Sequence, residues 1–232
     1  MSKRLASFRG PSTPTPSPVQ QTKQNTPSSP SKSVESTFHR RIRTSLQELR
    51  SITQTWDDIV ILDGSKALRI LTNTRTELDN ALALVPPGEQ PRFRLIGPKL
   101  AIVDDCIHQL DVVTVKLQKQ FRRMNAVIDN MEDILYEASK NKGYQWCCEE
   151  PLWVSWPLEK FVSCISDIII PYHRSLDMHI NLLDTLRTHS VSFEASRHAI
   201  SQWVDQPCLQ EAEWDTTWED LCAVEVERWD AR

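Results

Sequence analysis

PKLAIVDDCIHQLDVVTVKLQKQFRRMNAVIDNMEDILYEAS, residues 98–139, contains no glycine, and its one proline is its first residue. Leu100, Val103, Ile107, Leu110, Thr114, Leu117, Phe121, Met124, Ile128, Met131, Leu135 and Ala138 follow in steps that alternate three and four. Side chains at that spacing share one face of a helix, and the repeat is that of a coiled-coil seam. Pro98 suits a first helical position, where the missing N–H costs nothing. The stretch therefore predicts a helix of about 40 residues, about 60 Å long. Burying ten such side chains contributes roughly 15–30 kcal/mol gross, before chain entropy is subtracted. A lone helix cannot bury them, so two or three partner helices are required.

The flanking sequence supplies them. Residues 34–62 place Phe38, Ile42, Leu46, Leu49, Ile52, Trp56 and Ile59 on one helix face. Asp63-Gly64-Ser65 reads as a stop and a fresh N-cap. A second helix over about 66–85 carries Ala67, Leu71, Thr74, Leu78, Ala81 and Val85, and PPGEQP then ends it. Beyond the long helix, residues 157–188 repeat at Leu158, Phe161, Ile165, Ile168, Tyr172, Leu176, His179, Leu183 and Leu186. Pro171 inside that run predicts a kink or a split. A short helix over about 192–205 and an acidic one over about 208–229 complete the set. No segment alternates at period two. The expected fold is all-α, an antiparallel helical bundle with long coiled-coil-like helices. Its expected organisation is a tail over 1–33, a bundle over 34–190, and short helices with an acidic tryptophan-rich tail over 191–232.

Between the long helix and the next lies QWCCEEPLWVSWPLEKF, residues 145–161, with three tryptophans, two prolines and adjacent cysteines. Zinc needs ligands spaced so that they converge, as Cys-x-x-Cys does; Cys147 and Cys148 are neighbours with no second pair. Glu149 and Glu150 would raise, not lower, a nearby thiol pKa. Gly143 should end the long helix, Pro151 should forbid its resumption, and Ser155 or Trp156 should cap the next with Pro157 in its first turn. Trp146, Trp153 and Trp156 can then fill the wedge where two helices part, or dock a partner; indoles suit both uses.

Residues 10–33 hold six prolines and one aliphatic side chain, a composition that cannot offset its ordering entropy and is expected to be disordered. Thr13, Thr15, Ser17, Thr26 and Ser29 each precede proline and are phosphosite candidates. Residues 1–50 carry nine Lys/Arg against two Glu, and residues 209–232 carry eight Asp/Glu against two Arg. Head and tail should attract each other until phosphorylation reverses the head's charge. His39-Arg40-Arg41-Ile42-Arg43 reads as a nuclear address, a phosphate-contacting patch or, slightly preferred, a solvated helix start, and direct nucleic-acid contact is not expected. Trp214, Trp218, Leu221, Cys222, Val226 and Trp229 form an aromatic stripe on the acidic helix, either a last bundle helix or a peptide for a basic groove. The glycines are too sparse for a phosphate loop, and no Gly-x-Ser-x-Gly or His-Glu-x-x-His constellation occurs. No catalytic residue, cofactor, metal or small-molecule substrate is expected. MSKRLASFRG has no apolar run behind its basic residues, and no segment reaches a membrane span, so neither leader nor membrane is expected. The thiols should be reduced, in nucleus and cytoplasm.

Three stretches carry a family resemblance. TWDDIVILDGSKALRILTNTRTELD (55–79), PKLAIVDDCIHQLDVVTVKLQKQFRRM (98–124) and WPLEKFVSCISDIIIPYHRSLDMHINLLDTLR (156–187) resemble segments of the AIRIM, or casein-kinase-2-substrate, family of helical ribosome-maturation adaptors. The likeness covers about residues 50–190 and includes the Tyr172-His173-Arg174 step followed by Leu182-Leu183 and Leu186. The proline-rich head, Cys147-Cys148, Pro171 and the acidic tail depart from the family pattern. The resemblance implies a non-catalytic adaptor that binds a helical partner and an AAA ATPase acting on pre-ribosomal particles. The long heptads and proline-directed sites equally suit a structural coiled-coil subunit of a kinetochore or spindle complex.

Overall fold

The first long run of apolar periodicity does form a helix, but it does not stop where Asp63-Gly64-Ser65 suggests. In the computed structural model, which describes residues 35–188, 191–219, 221, 225 and 226, helix α1 (Thr37–Asp58) passes through a π-helical turn (Ile59–Gly64) into α2 (Ser65–Ala83). The Ser65 N–H donates to the Val60 carbonyl, the i→i+5 bond of a π turn. Gly64 is helical, not a cap: φ is −65° and ψ is −50°. Its reason is close approach. A Cβ there would lie 2.4 Å from Trp203 Nε1 and 2.8 Å from Trp203 Cε2.

Every predicted core residue of the first run, from Phe38 on α1 to Ile59 in the π turn, is buried. On α2, Ala67, Leu71 and Thr74 are buried with Leu68, Thr72 and Arg75, whereas Leu78, Ala81 and Val85 are only partly covered. The buried face of α2 is thus wider than the predicted row at its start and takes in Leu68 and Arg75.

Residues 84–92 reverse the chain into α3 (Phe93–Lys142), 50 residues and so about 75 Å long. Pro98 lies inside this helix, not at its start. As the sixth residue it lies just past the first four N–H groups that any helix leaves unpaired, so it forfeits one bond, to the Arg94 carbonyl, near the helix end. The heptad positions Val103, Leu110, Leu117, Met124, Met131 and Ala138 are all buried. The row one step to the side, Cys106, Val113, Gln120, Val127 and Ile134, is buried with them. Of the companions predicted on the other flank, Thr114 and Ile128 are buried but Ile107, Phe121 and Leu135 only partly so. The covered face is thus wider than a two-stranded seam, because α3 touches α1, the π turn, α2 and the returning helices.

After a joint described below, α5 (Leu158–Ser166) and α6 (Ile169–Arg187) run back along α3. The predicted split falls at Asp167–Ile168, leaving Pro171 in the first turn of α6, and all nine predicted core residues are buried. Helix α7 (Phe193–Asp205) starts at Ser192, whose hydroxyl accepts the Ala195 N–H, and packs on α2, the π turn and α6. Trp203 donates to the Val60 carbonyl at 3.3 Å, and Trp56 donates to Gln206 Oε1 at 2.9 Å. The single acidic helix predicted over 208–229 is instead broken. Gln206 (φ 43°) and Glu213 (φ 47°) are left-handed and bound α8 (Pro207–Gln210), and α9 (Trp214–Glu219) follows.

Among the described residues the chain is a helical bundle with no β-strand beyond one isolated bridge. No described helix is long and apolar enough to cross a membrane. The expected disordered tail, residues 1–33, lies outside the described residues.

Candidate docking site at the tryptophan-rich joint

Gly143 ends α3 as expected, at φ 91°, a conformation that side chains with a Cβ rarely adopt. A short helix α4 (Tyr144–Glu149) follows, which the prolines downstream had hidden. Pro151 and Pro157 then face each other across an antiparallel bridge, and the Leu152 N–H donates to the Trp156 carbonyl at 2.9 Å. Residues 151–157 therefore close a tight turn. Pro157 is itself the N-cap of α5, and Ser155, expected as a cap, turns elsewhere.

One side of this turn is pinned to the start of α1. The Leu152 carbonyl can only accept, so His39 Nε2 carries the proton it receives, at 2.6 Å. Nδ1 then accepts from Ser36 Oγ at 2.7 Å. Burial holds His39 below its ordinary pKa, against the opposing pull of the Leu152 carbonyl and Glu35. Trp153 Nε1 donates to Glu35 Oε1 at 3.0 Å, and Arg43 reaches the same oxygen at 2.5 Å. The Trp153 ring stands edge-on to His39 (5.5 Å) and to Phe161 (5.2 Å).

The other side holds the acidic segment. Glu225 is buried and accepts the Ser155 N–H at 2.9 Å, the Trp156 N–H at 3.1 Å, and the Ser155 hydroxyl. Burial alone would raise its pKa. The hydrogen bonds from Ser155, Trp156 and Val154 outweigh burial and hold the carboxyl below its ordinary value. Leu221 and Val226 are buried beside it in the core cluster.

Of the candidate docking tryptophans, Trp153 and Trp214 are buried. Trp146, Trp156 and Trp218 are half-buried against the core. Trp146 leans on Phe38 and Trp156 on Phe161, with Lys160 Nζ 4.0 Å from the Trp156 ring. Trp214 and Trp218 pair with each other at 6.0 Å. Trp229 lies outside the described residues, as do Thr13, Thr15, Ser17, Thr26 and Ser29. The structure thus brings Trp146, Trp153 and Trp156 to one joint.

Sequence reasoning missed Glu35, His39, Arg43 and Glu225 as partners of that joint. Glu225 is one of eight acidic residues in its segment, and nothing local marks it. Burial raises the thiol pKa of Cys147, with Cys148 adding to it, and burial likewise raises Cys106 and Cys164. These sulfurs sit as packed thiols. Among the described residues no three His, Cys, Asp or Glu side chains are grouped so as to hold a metal ion. No family model matches this chain, and no curated protein matches it.

Proposed function

We propose that the protein is a non-catalytic helical adaptor in ribosome biogenesis. It docks a helical partner and an AAA ATPase that acts on large-subunit precursors, in nucleus and cytoplasm. The observation that carries the docking part is the tip of the bundle. Leu84 is 85% exposed and Phe93 80% exposed, with Leu82 and Leu95 beside them in sequence. The four flank one chain reversal, and Lys99–Glu77 (2.5 Å) ties α2 to α3 at the same end. Large apolar side chains left exposed on both sides of one chain reversal suit a surface for another protein. The ribosomal part is supported by the resemblance of residues 55–79, 98–124 and 156–187. The length of α3 favours one other reading, a structural coiled-coil subunit of a kinetochore or spindle complex.

Affinity purification of the full chain with mass spectrometry tests both. Ribosome assembly factors and an AAA ATPase should be recovered, and the double change Leu84→Asp/Phe93→Asp should lose them while helicity stays unchanged. Recovery of centromere subunits instead would move the protein to the second reading. Recovery of neither, or full recovery by the tip variant, would remove the proposal.

A further inference from the structure

The joint holds a built receptor for a carboxylate, and the chain fills it with its own Glu225. Two backbone N–H groups and a hydroxyl converge on that side chain. The turn that presents them is also held by contacts from outside the acidic segment. It is closed by the Leu152–Trp156 hydrogen bond and pinned from behind by His39 and Glu35. A site fixed by other contacts keeps its geometry when its occupant leaves, and such preorganisation favours rebinding.

The occupant is held differently. Helices α8 and α9 have four and six residues, too short to be stable by themselves. Among the described residues, the segment's grip beyond them rests on Leu221, Glu225 and Val226. Segments with few anchors open at low free energy while the core stays closed. Once open, the turn offers unpaired N–H donors, an apolar seat left by Leu221 and Val226, and Lys160 above Trp156.

We propose that the turn Leu152–Pro157 is a docking site for an acidic peptide segment with the pattern aliphatic-x-x-x-Glu-aliphatic. Leu221, Glu225 and Val226 occupy it in cis as an exchangeable internal ligand, which a partner's segment of the same chemistry displaces. This goes beyond the adaptor reading and holds whichever assembly the bundle tip serves.

The probe is a fluorescein-labelled peptide of residues 217–230 with serine in place of Cys222, titrated into the full chain and followed by anisotropy. Glu225→Lys and Leu221→Asp/Val226→Asp each free the seat and should bind the peptide at least about tenfold more tightly than the unaltered chain. Adding Ser155→Ala to either should weaken that binding, and so should Glu→Gln in the peptide. Hydrogen exchange at the Ser155 and Trp156 amides should be slow in the unaltered chain, fast in Glu225→Lys, and slow again with peptide. Equal binding by all chains, no binding by either freed variant, or indifference to Ser155→Ala overturns the proposal. Loss of helicity in both freed variants also overturns it, since the segment would then belong to the fold and not be exchangeable.

Discussion

His179 has no exposed surface, stands edge-on to Trp203 (4.4 Å) and Trp56 (6.4 Å), and donates from Nδ1 to the Ser175 carbonyl. Burial lowers its pKa more than the Ser175 and Trp203 backbone groups raise it. His39 shifts the same way. A histidine depressed in the folded state takes its proton in the unfolded chain first. Stability is then full above the ordinary value of about 6.5 and lost as pH falls below it. Urea midpoints should fall between about pH 7.5 and 5.5, and His179→Phe should flatten that fall without abolishing it, because His39 remains. Arg75 is a buried charge. It donates to the Leu186 carbonyl and, at 3.2 Å, to the Thr188 carbonyl, so it caps the end of α6 from α2. Burial lowers its pKa, against the pull of Asp79. Arg75→Met leaves those carbonyls unpaired and should cost about 1–3 kcal/mol in urea unfolding. Neither residue was marked in the sequence beyond its place in a helical run, since burial of a polar side chain depends on what packs over it.

At the scale of elements, periodicity was a sound guide, while punctuation held at Gly143 and Pro171 and failed at Asp63-Gly64-Ser65. The stripe from Phe38 to Ile59 and the one from Leu158 to Leu186 are buried at every predicted position, because one face of a short helix leaves little choice of phase. On α3 the heptad positions were legible, but the side to which the face widens was not; that depends on how two neighbours straddle the helix. Asp63-Gly64-Ser65 misled for a physical reason. A glycine that breaks a helix and a glycine that admits an indole look alike in sequence, and the indole comes from α7. Glu213, without a glycine to announce it, takes the left-handed conformation that divides the acidic segment. The site was half legible: the tryptophans of the joint could be named, but Glu225 and His39 reach it from distant parts of the chain. Met124, fully buried on α3, and Val115, 61% exposed on the same helix, separate packing from propensity. Met124→Ala should cost about 2–5 kcal/mol, and Val115→Ala less than about 0.5 kcal/mol, measured as paired urea titrations.

For the molecule as a whole, charge is distributed more unevenly than the net value of −4 suggests. The basic head and the acidic segment 209–232 should feel each other within a Debye length, about 10 Å at 0.1 M salt. Glutamate at Thr13, Thr15, Ser17, Thr26 and Ser29 should therefore change hydrogen exchange in residues 209–232 at low salt and not at high salt. Unchanged exchange at both would dispose of a head-to-tail attraction. A different consequence follows from the notch at Gly64. There one added methyl group collides with the Trp203 ring, which would have to shift with the helix that bears it. In a genetic screen, Gly64→Ala is accordingly the first place to seek a conditional allele, normal in the cool and failing in the warm.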